Sequence, residues 1–131
     1  MTVLIDTNVL SELARPRPAP AVARWAARLD AAAVSVITVD EVFYGLTVKP
    51  RPQILGWFER FFDGECRVLD VTGPIARHAG LLRGQLAAKG QPRTQADMLI
   101  AATAAIHGLS VATRNTRDFT ACGVSVVDPF E

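Results

Sequence analysis

Cysteine and lysine each occur only twice in these 131 residues. Cys66 and Cys122 are too few for a disulfide framework and lack metal-ligand spacing, so both are expected to be small buried hydrophobes. With Lys49 and Lys89 the only lysines, 12 of the 14 basic residues are arginines. The planar donor fork of arginine suits phosphate recognition, although genome composition would produce the same slant. Excess charge of either sign is also missing, with 14 basic residues against 13 acidic ones, and overall charge therefore does not announce a nucleic-acid binder. No apolar run approaches the roughly 20 residues of a membrane span. No basic segment precedes an apolar core at the amino terminus, so a secretory leader is not expected and the expected location is cytoplasmic. Repeats and low-complexity tracts are absent. What remains is half hydrophobic and 21% charged, which describes an ordinary globular protein, and the length predicts a single domain over residues 1–131.

Short β-like runs fall at 2–6, 33–37, 66–71, 109–113 and 124–127. Between them lie segments of helical period. Residues 20–30 place Val22, Trp25, Ala26 and Leu29 on one face, and residues 54–62 repeat the pattern with Ile54, Trp57, Phe58, Phe61 and Phe62. Residues 75–90 align Ile75, Ala79, Leu82 and Leu86 and stop at Gly90, while 97–108 is nearly all apolar, as expected of a helix lying on a sheet. Strands alternating with helices predict an α/β fold whose central, mostly parallel sheet of about five strands is covered on both faces. The proline-rich stretches 14–20 and 49–52 read as connectors.

Acids fall at recurring places in this plan. Asp6 ends the first strand in "LIDTNVL", Glu41 follows the second, Asp97 opens the apolar helix, and Asp118 follows the strand at 109–113. In an open parallel sheet the carboxyl ends of strands and the amino ends of the following helices share one edge, where ligands bind. Each acid also has an ordinary explanation. Thr38-x-x-Glu41 and Thr94-x-x-Asp97 fit a helix-capping pattern, and Asn115-x-x-Asp118 fits it more loosely. Asp6 could cap a helix beginning at Thr7. The two readings are compatible, and convergence separates them: carboxylates gathered in one pocket repel each other unless a cation neutralises them. A hard divalent ion such as Mg2+ or Mn2+ prefers that oxygen-rich setting. His78 and His107 lie in helical stretches and read as structural.

With these residues in view, the chain resembles a PIN-domain ribonuclease, and more narrowly a VapC or FitB-type toxin of a bacterial toxin–antitoxin pair. The matching stretches are "LIDTNVLSEL" (4–13), "ITVDEVFYGL" (37–46), "ADMLIAATAAIHGL" (96–109) and "TRNTRDF" (113–119). The resemblance implies a three-layer α/β/α PIN-like fold and an endoribonuclease dependent on Mg2+, with Mn2+ as a substitute. It implies that Asp6 and Asp97 are direct metal ligands, that Glu41 and Asp118 complete the catalytic acids, and that Thr7, Asn8, Thr113 and Asn115 support them. Relatives of this kind often carry an acid where this chain has Asn115, which favours one firmly held ion over two. Cleavage by in-line attack would leave a 5′-phosphate and a 3′-hydroxyl.

Arg93, Arg114 and Arg117 flank the acids and are candidate RNA contacts, or else solvated surface residues; Arg15 and Arg17 are weaker candidates. Phe43 and Tyr44 could stack on a base, but their helical spacing favours core packing. The resemblance further implies a homodimer and a cognate antitoxin that blocks the acidic cleft. Trp25, Trp57, Phe58, Phe61 and Phe62 suit either a partner groove or a core. A receiver-like phospho-acceptor domain would need a lysine near a late strand end, which neither Lys49 nor Lys89 provides. A phosphatase with Asp6 as nucleophile would need an acid at Asn8. A catalytically silent PIN-fold partner-binding module is the remaining alternative.

Overall fold

A computed structural model describes residues 2–131. Five strands, β1 (Thr2–Ile5), β2 (Ala31–Ser35), β3 (Arg67–Leu69), β4 (Ser110–Ala112) and β5 (Val126–Val127), form one sheet in the order β3-β2-β1-β4-β5, with every neighbouring pair parallel. Parallel strands require crossovers, and helices supply them. In chain order these are α1 (Thr7–Leu13), α2 (Pro20–Ala27), α3 (Val36–Val48), α4 (Pro52–Arg60), α5 (Gly73–Ala88), α6 (Gln95–His107) and the single turn α7 (Thr116–Phe119). The end of α4 widens into a π-helical turn at Phe61–Glu65.

Strand alternation divides the interior into two layers. Val3 and Ile5 of β1 join Val9, Leu10, Val22, Val42, Phe58 and Phe61 from α1 to α4 and the turn beyond it. Leu4 of the same strand points the other way, among Ile75, Ala79, Leu86, Met98, Ile100 and Ala101 of α5 and α6. Each fully buried aliphatic of this size contributes roughly 1.5–3 kcal/mol. The result is the expected α/β/α sandwich. The aromatic residues of α4 belong to it: Phe58 and Phe61 are buried, Trp57 stacks on Phe61 with ring centroids 5.0 Å apart, and Trp25 and Phe62 pack against the same layer. Phe58 and Phe61 are core residues, while Trp25, Trp57 and Phe62 pack on the core and keep part of their surface exposed.

The second strand and the following helix depart from the sequence reading. Strand β2 ends at Ser35, two residues earlier than expected, and the β-branched run 36–39 opens α3 instead of prolonging the strand. The Ser35 hydroxyl caps this helix, accepting from the Ile37 amide at 3.1 Å. A cap of this kind stabilises by about 1 kcal/mol, which outweighs the modest β preference of Val36 and Ile37. Thr38 is therefore not a cap; it is buried inside α3, and Glu41 sits on the helix itself. Phe43 and Tyr44 on α3 are not core residues either, being 38% and 70% exposed, because Val42 takes the inward position of that turn. The other elements lie within a few residues of expectation, and Gly90 does follow the end of α5, with φ at +76°.

Candidate active site

The sheet order places a switch point between β1 and β4. From β1 the chain builds outward through β2 and β3, then crosses back to add β4 and β5 on the other side. Crossovers diverge there, leaving a crevice beyond the carboxyl ends of the two strands. Ile5 is in register with Ala112, so the next residues, Asp6 and Thr113, face each other across the mouth of that crevice.

Asp6 is only 5% exposed and closely held. Its Oδ1 accepts from the Thr7 amide at 2.8 Å, which caps α1. Its Oδ2 accepts from the Thr113 hydroxyl at 2.8 Å and from Asn8 Nδ2 at 3.2 Å. Asn8 reaches across the switch point as well, where its Oδ1 accepts from the Arg114 amide at 3.0 Å. The Thr113 oxygen in turn accepts from the Asn115 amide at 3.0 Å. Thr7, Asn8 and Thr113 thus all hydrogen-bond to Asp6, which both caps a helix and borders the crevice.

The remaining acids approach from neighbouring elements. Thr7 Oγ1 donates to Glu41 Oε1 at 2.8 Å and lies 3.3 Å from Thr38 Oγ1, tying α3 to α1. Asp97 stands in the first turn of α6, whose capping residue Thr94 accepts from the Asp97 amide at 3.1 Å. That capping pattern holds. The one at Asn115 does not: it precedes α7 but its side chain makes no capping bond. Asp118 lies in α7, beside α6.

Electrostatics ties these carboxylates into one group. Burial pushes the Asp6 carboxyl above its ordinary value; bonds from Thr113, Thr7 and Asn8 pull it back, and the charge of Glu41 raises it again. Burial likewise raises Asp97, partly offset by Thr94, and the charges of Asp6 and Asp118 add to the rise. Like charges act in this way only when close together. Among the described residues none of the four acids forms an ion pair; Arg15 with Glu12 is the pair found elsewhere, at 3.2 Å. A preassembled cage is absent too: among the described residues, no three His, Cys, Asp or Glu side chains stand ready to hold a metal ion. Mg2+ does not require such a cage, because it keeps several waters and takes only one or two carboxylates from a protein. Asp6 and Asp97, hard oxygen donors without a cationic partner, fit that habit.

The arginines divide. Arg93 uses its guanidinium within the fold, with Nε donating to the Asp118 carbonyl at 3.2 Å and Nη1 to the Gln91 carbonyl at 3.0 Å. Arg117 and Arg17 are exposed. Arg114 lies over the Phe130 ring, 4.4 Å from its centroid, beside Asn8. His78 and His107 are exposed on α5 and α6, away from the acids. Cys122 is buried and Cys66 half-buried, both with free thiols; burial and the charge of Glu65 push the Cys66 thiol up to about 11. Sequence reading missed three residues beside the site: Thr38, concealed as a cap, Arg51, concealed in a proline-rich connector, and Phe130, which is remote in the chain.

Comparison with known families agrees with this geometry. The PIN domain model matches residues 3–123. The chain belongs to the PIN-domain family. Among its PIN-domain relatives, a VapC ribonuclease from Sinorhizobium fredii is 36% identical over 137 residues, covering 98% of each chain. The toxin FitB from Neisseria gonorrhoeae is 35% identical, again covering 98% of each. In three dimensions the chain matches FitAcB from Neisseria gonorrhoeae with a TM-score of 0.85 at 32% identity, covering 100% of this chain and 99% of that one. It matches DNA-bound VapBC from Salmonella typhimurium with a TM-score of 0.85 at 30% identity, covering 98% of each.

Proposed function

We propose that this PIN domain is a Mg2+-dependent endoribonuclease, with Mn2+ as a substitute, and that it serves as the toxin of a toxin–antitoxin pair. The observation that carries the reading is the gathering of Asp6, Glu41, Asp97 and Asp118 at one sheet edge. Burial raises Asp6 and Asp97, with the charge of Glu41 adding to the rise of Asp6 and the charges of Asp6 and Asp118 to that of Asp97, and among the described residues none of the four has a cationic side-chain partner. Folding alone gives no reason for that arrangement; a divalent cation does. Relatives named as ribonucleases and as a toxin support the same assignment. Structural neighbours described as a toxin–antitoxin complex and as a member of a family of toxin–antitoxin systems support a cognate antitoxin as partner. A homodimer working in the cytoplasm completes the proposal, and no helix among the described residues is long and apolar enough to cross a membrane.

In this mechanism Asp6 and Asp97 would hold the ion. When bound, the ion supplies a lowered water pKa and offsets the charge developing on the phosphodiester oxygens. Thr113, Asn8 and the Thr7 amide keep the Asp6 carboxylate in one orientation. Glu41, aligned by the Thr7 hydroxyl, accepts the proton of the attacking water, and Asp118 adds negative charge that keeps the site dependent on a cation. Lys49 and Lys89 cap the ends of α3 and α5, so neither stands where a phospho-acceptor domain requires its lysine.

The test is Asp97→Asn. The variant should lose cleavage of RNA in Mg2+ or Mn2+ while keeping its circular dichroism spectrum; normal cleavage would refute the assignment. In parallel, millimolar Mg2+ or Mn2+ should raise the melting temperature of the wild type. An ion at 100 times its Kd stabilises by about 2.7 kcal/mol, and Asp97→Asn should respond much less.

A further inference from the structure

Next to the acids lies a second hollow of opposite charge. It measures about 430 Å3 and is bordered by Asn8, Glu12, Arg15, Arg51, Arg114 and Phe130. Asn8 is the shared wall, since the amide that donates to Asp6 Oδ2 also accepts from the Arg114 backbone through its oxygen. Three arginines and a single carboxylate line it, and that carboxylate is already engaged. Glu12 accepts from Arg15 at 3.2 Å and from the Ala19 amide at 2.8 Å, which orients Arg15 from the α1 side. Arg114 is oriented from the other side by Phe130, which covers one face of its guanidinium and leaves the in-plane N–H groups for an acceptor. Arg51 comes from the connector between α3 and α4 and also borders an adjoining hollow that contains Thr7 and Glu41. Three separate segments thus bring arginines to the border of one hollow, with Asn8 between it and Asp6.

We propose that this hollow binds backbone phosphates of single-stranded RNA flanking the scissile bond, with Arg51 and Arg114 as the principal contacts and Arg15 as an auxiliary one. The inference rests on the nuclease reading and deepens it. Four acids at the cleavage point repel a polyanion, so cations must grip the strand nearby without neutralising the acids. Arginine forks match phosphate oxygens in pairs. The hollow lacks the apolar floor that a protein segment would prefer, whereas the adjoining one has Val42, Leu46, Ile54 and Phe58.

The experiment measures binding of a fluorescein-labelled single-stranded RNA across a salt series, using the full chain carrying Asp97→Asn so that the RNA stays intact, with wild type in EDTA as a second background. Arg51→Ala combined with Arg114→Ala should weaken binding about tenfold, by a similar factor for unrelated RNA sequences. It should also reduce the slope of log affinity against log salt by about 0.7 for each phosphate no longer neutralised. Arg51→Lys should keep the slope and lose part of the affinity. Arg77→Ala, on the far surface of α5, should change neither. In the active protein the double variant should raise KM by a larger factor than it lowers kcat. Unchanged affinity and slope in the double variant would overturn the proposal, as would an equal loss in Arg77→Ala. Intact RNA binding with lost binding of the cognate antitoxin would overturn it in favour of protein docking. Failure of the wild type to cleave any RNA would sink the nuclease reading alone, because the salt slope still decides whether the hollow holds phosphates.

Discussion

The two ends of the acidic cleft are built differently. At the sheet end Asp6 is buried, with both carboxylate oxygens occupied by Thr7, Asn8 and Thr113. At the helical end Glu41 is exposed and held by a single hydroxyl, that of Thr7. A buried carboxylate has one orientation and suits the holding of an ion. An exposed one can shift and exchange protons with water, which suits a base. The contrast suits the two roles proposed for these carboxylates, since surroundings can set one kind of side chain to different tasks.

Substitutions at the two ends should separate those roles. The largest effect is expected from Asp6→Asn, which keeps the shape but removes the ligand charge: cleavage should become undetectable and the melting temperature should stop responding to Mg2+. Glu41→Gln should lower kcat by about 100-fold, the scale of a lost general base. Because Glu41 is exposed, its replacement should change stability by no more than about 0.5 kcal/mol. Thr113→Val tests the support for the buried end. Without its donor to Asp6, activity or metal affinity should fall about tenfold. Unfolding free energy should drop by about 1–3 kcal/mol, as expected when a buried acceptor loses its partner. If Glu41→Gln destabilised the fold more than Thr113→Val, the contrast between the two ends would be wrong.

The smallest effect is one of pH. Asp6 and Asp97 have folded-state values above the ordinary 3.8. A raised value means that the folded protein favours the protonated form. That stabilisation is complete below pH 3.8 and is lost as pH rises through the raised values. In EDTA, therefore, Asp97→Asn should gain stability relative to wild type between about pH 4 and 7, and saturating Mg2+ should reverse the order. Paired melting curves across that range check the sign.

Much of this was legible in the chain. The strand–helix alternation and the placement of Asp6, Asp97 and Asp118 relative to it depend on local patterns, and local patterns survive folding. Thr94 capping α6 ahead of Asp97 is one such case. Errors came where two local preferences competed. The run Val36-Ile37-Thr38-Val39 favours a strand by composition, yet the Ser35 cap and the inward placement of Val42 made it a helix. Phe43 and Tyr44 then turned outward with it. Arg51 and Phe130 had no local signature at all.

The sequence by itself determined the fold class, the order of the elements and the position of the acids at element ends, because hydrophobic period and the residues at the ends of elements are properties of short segments. Only the tertiary structure decided which acid is buried, which hydroxyl orients it and which arginines stand beside it. Those facts depend on β1 meeting β4 at the switch point and on distant loops arriving there. The solvation and partners of each side chain are set by neighbours far along the chain, so identical residue types in similar local patterns end in different surroundings.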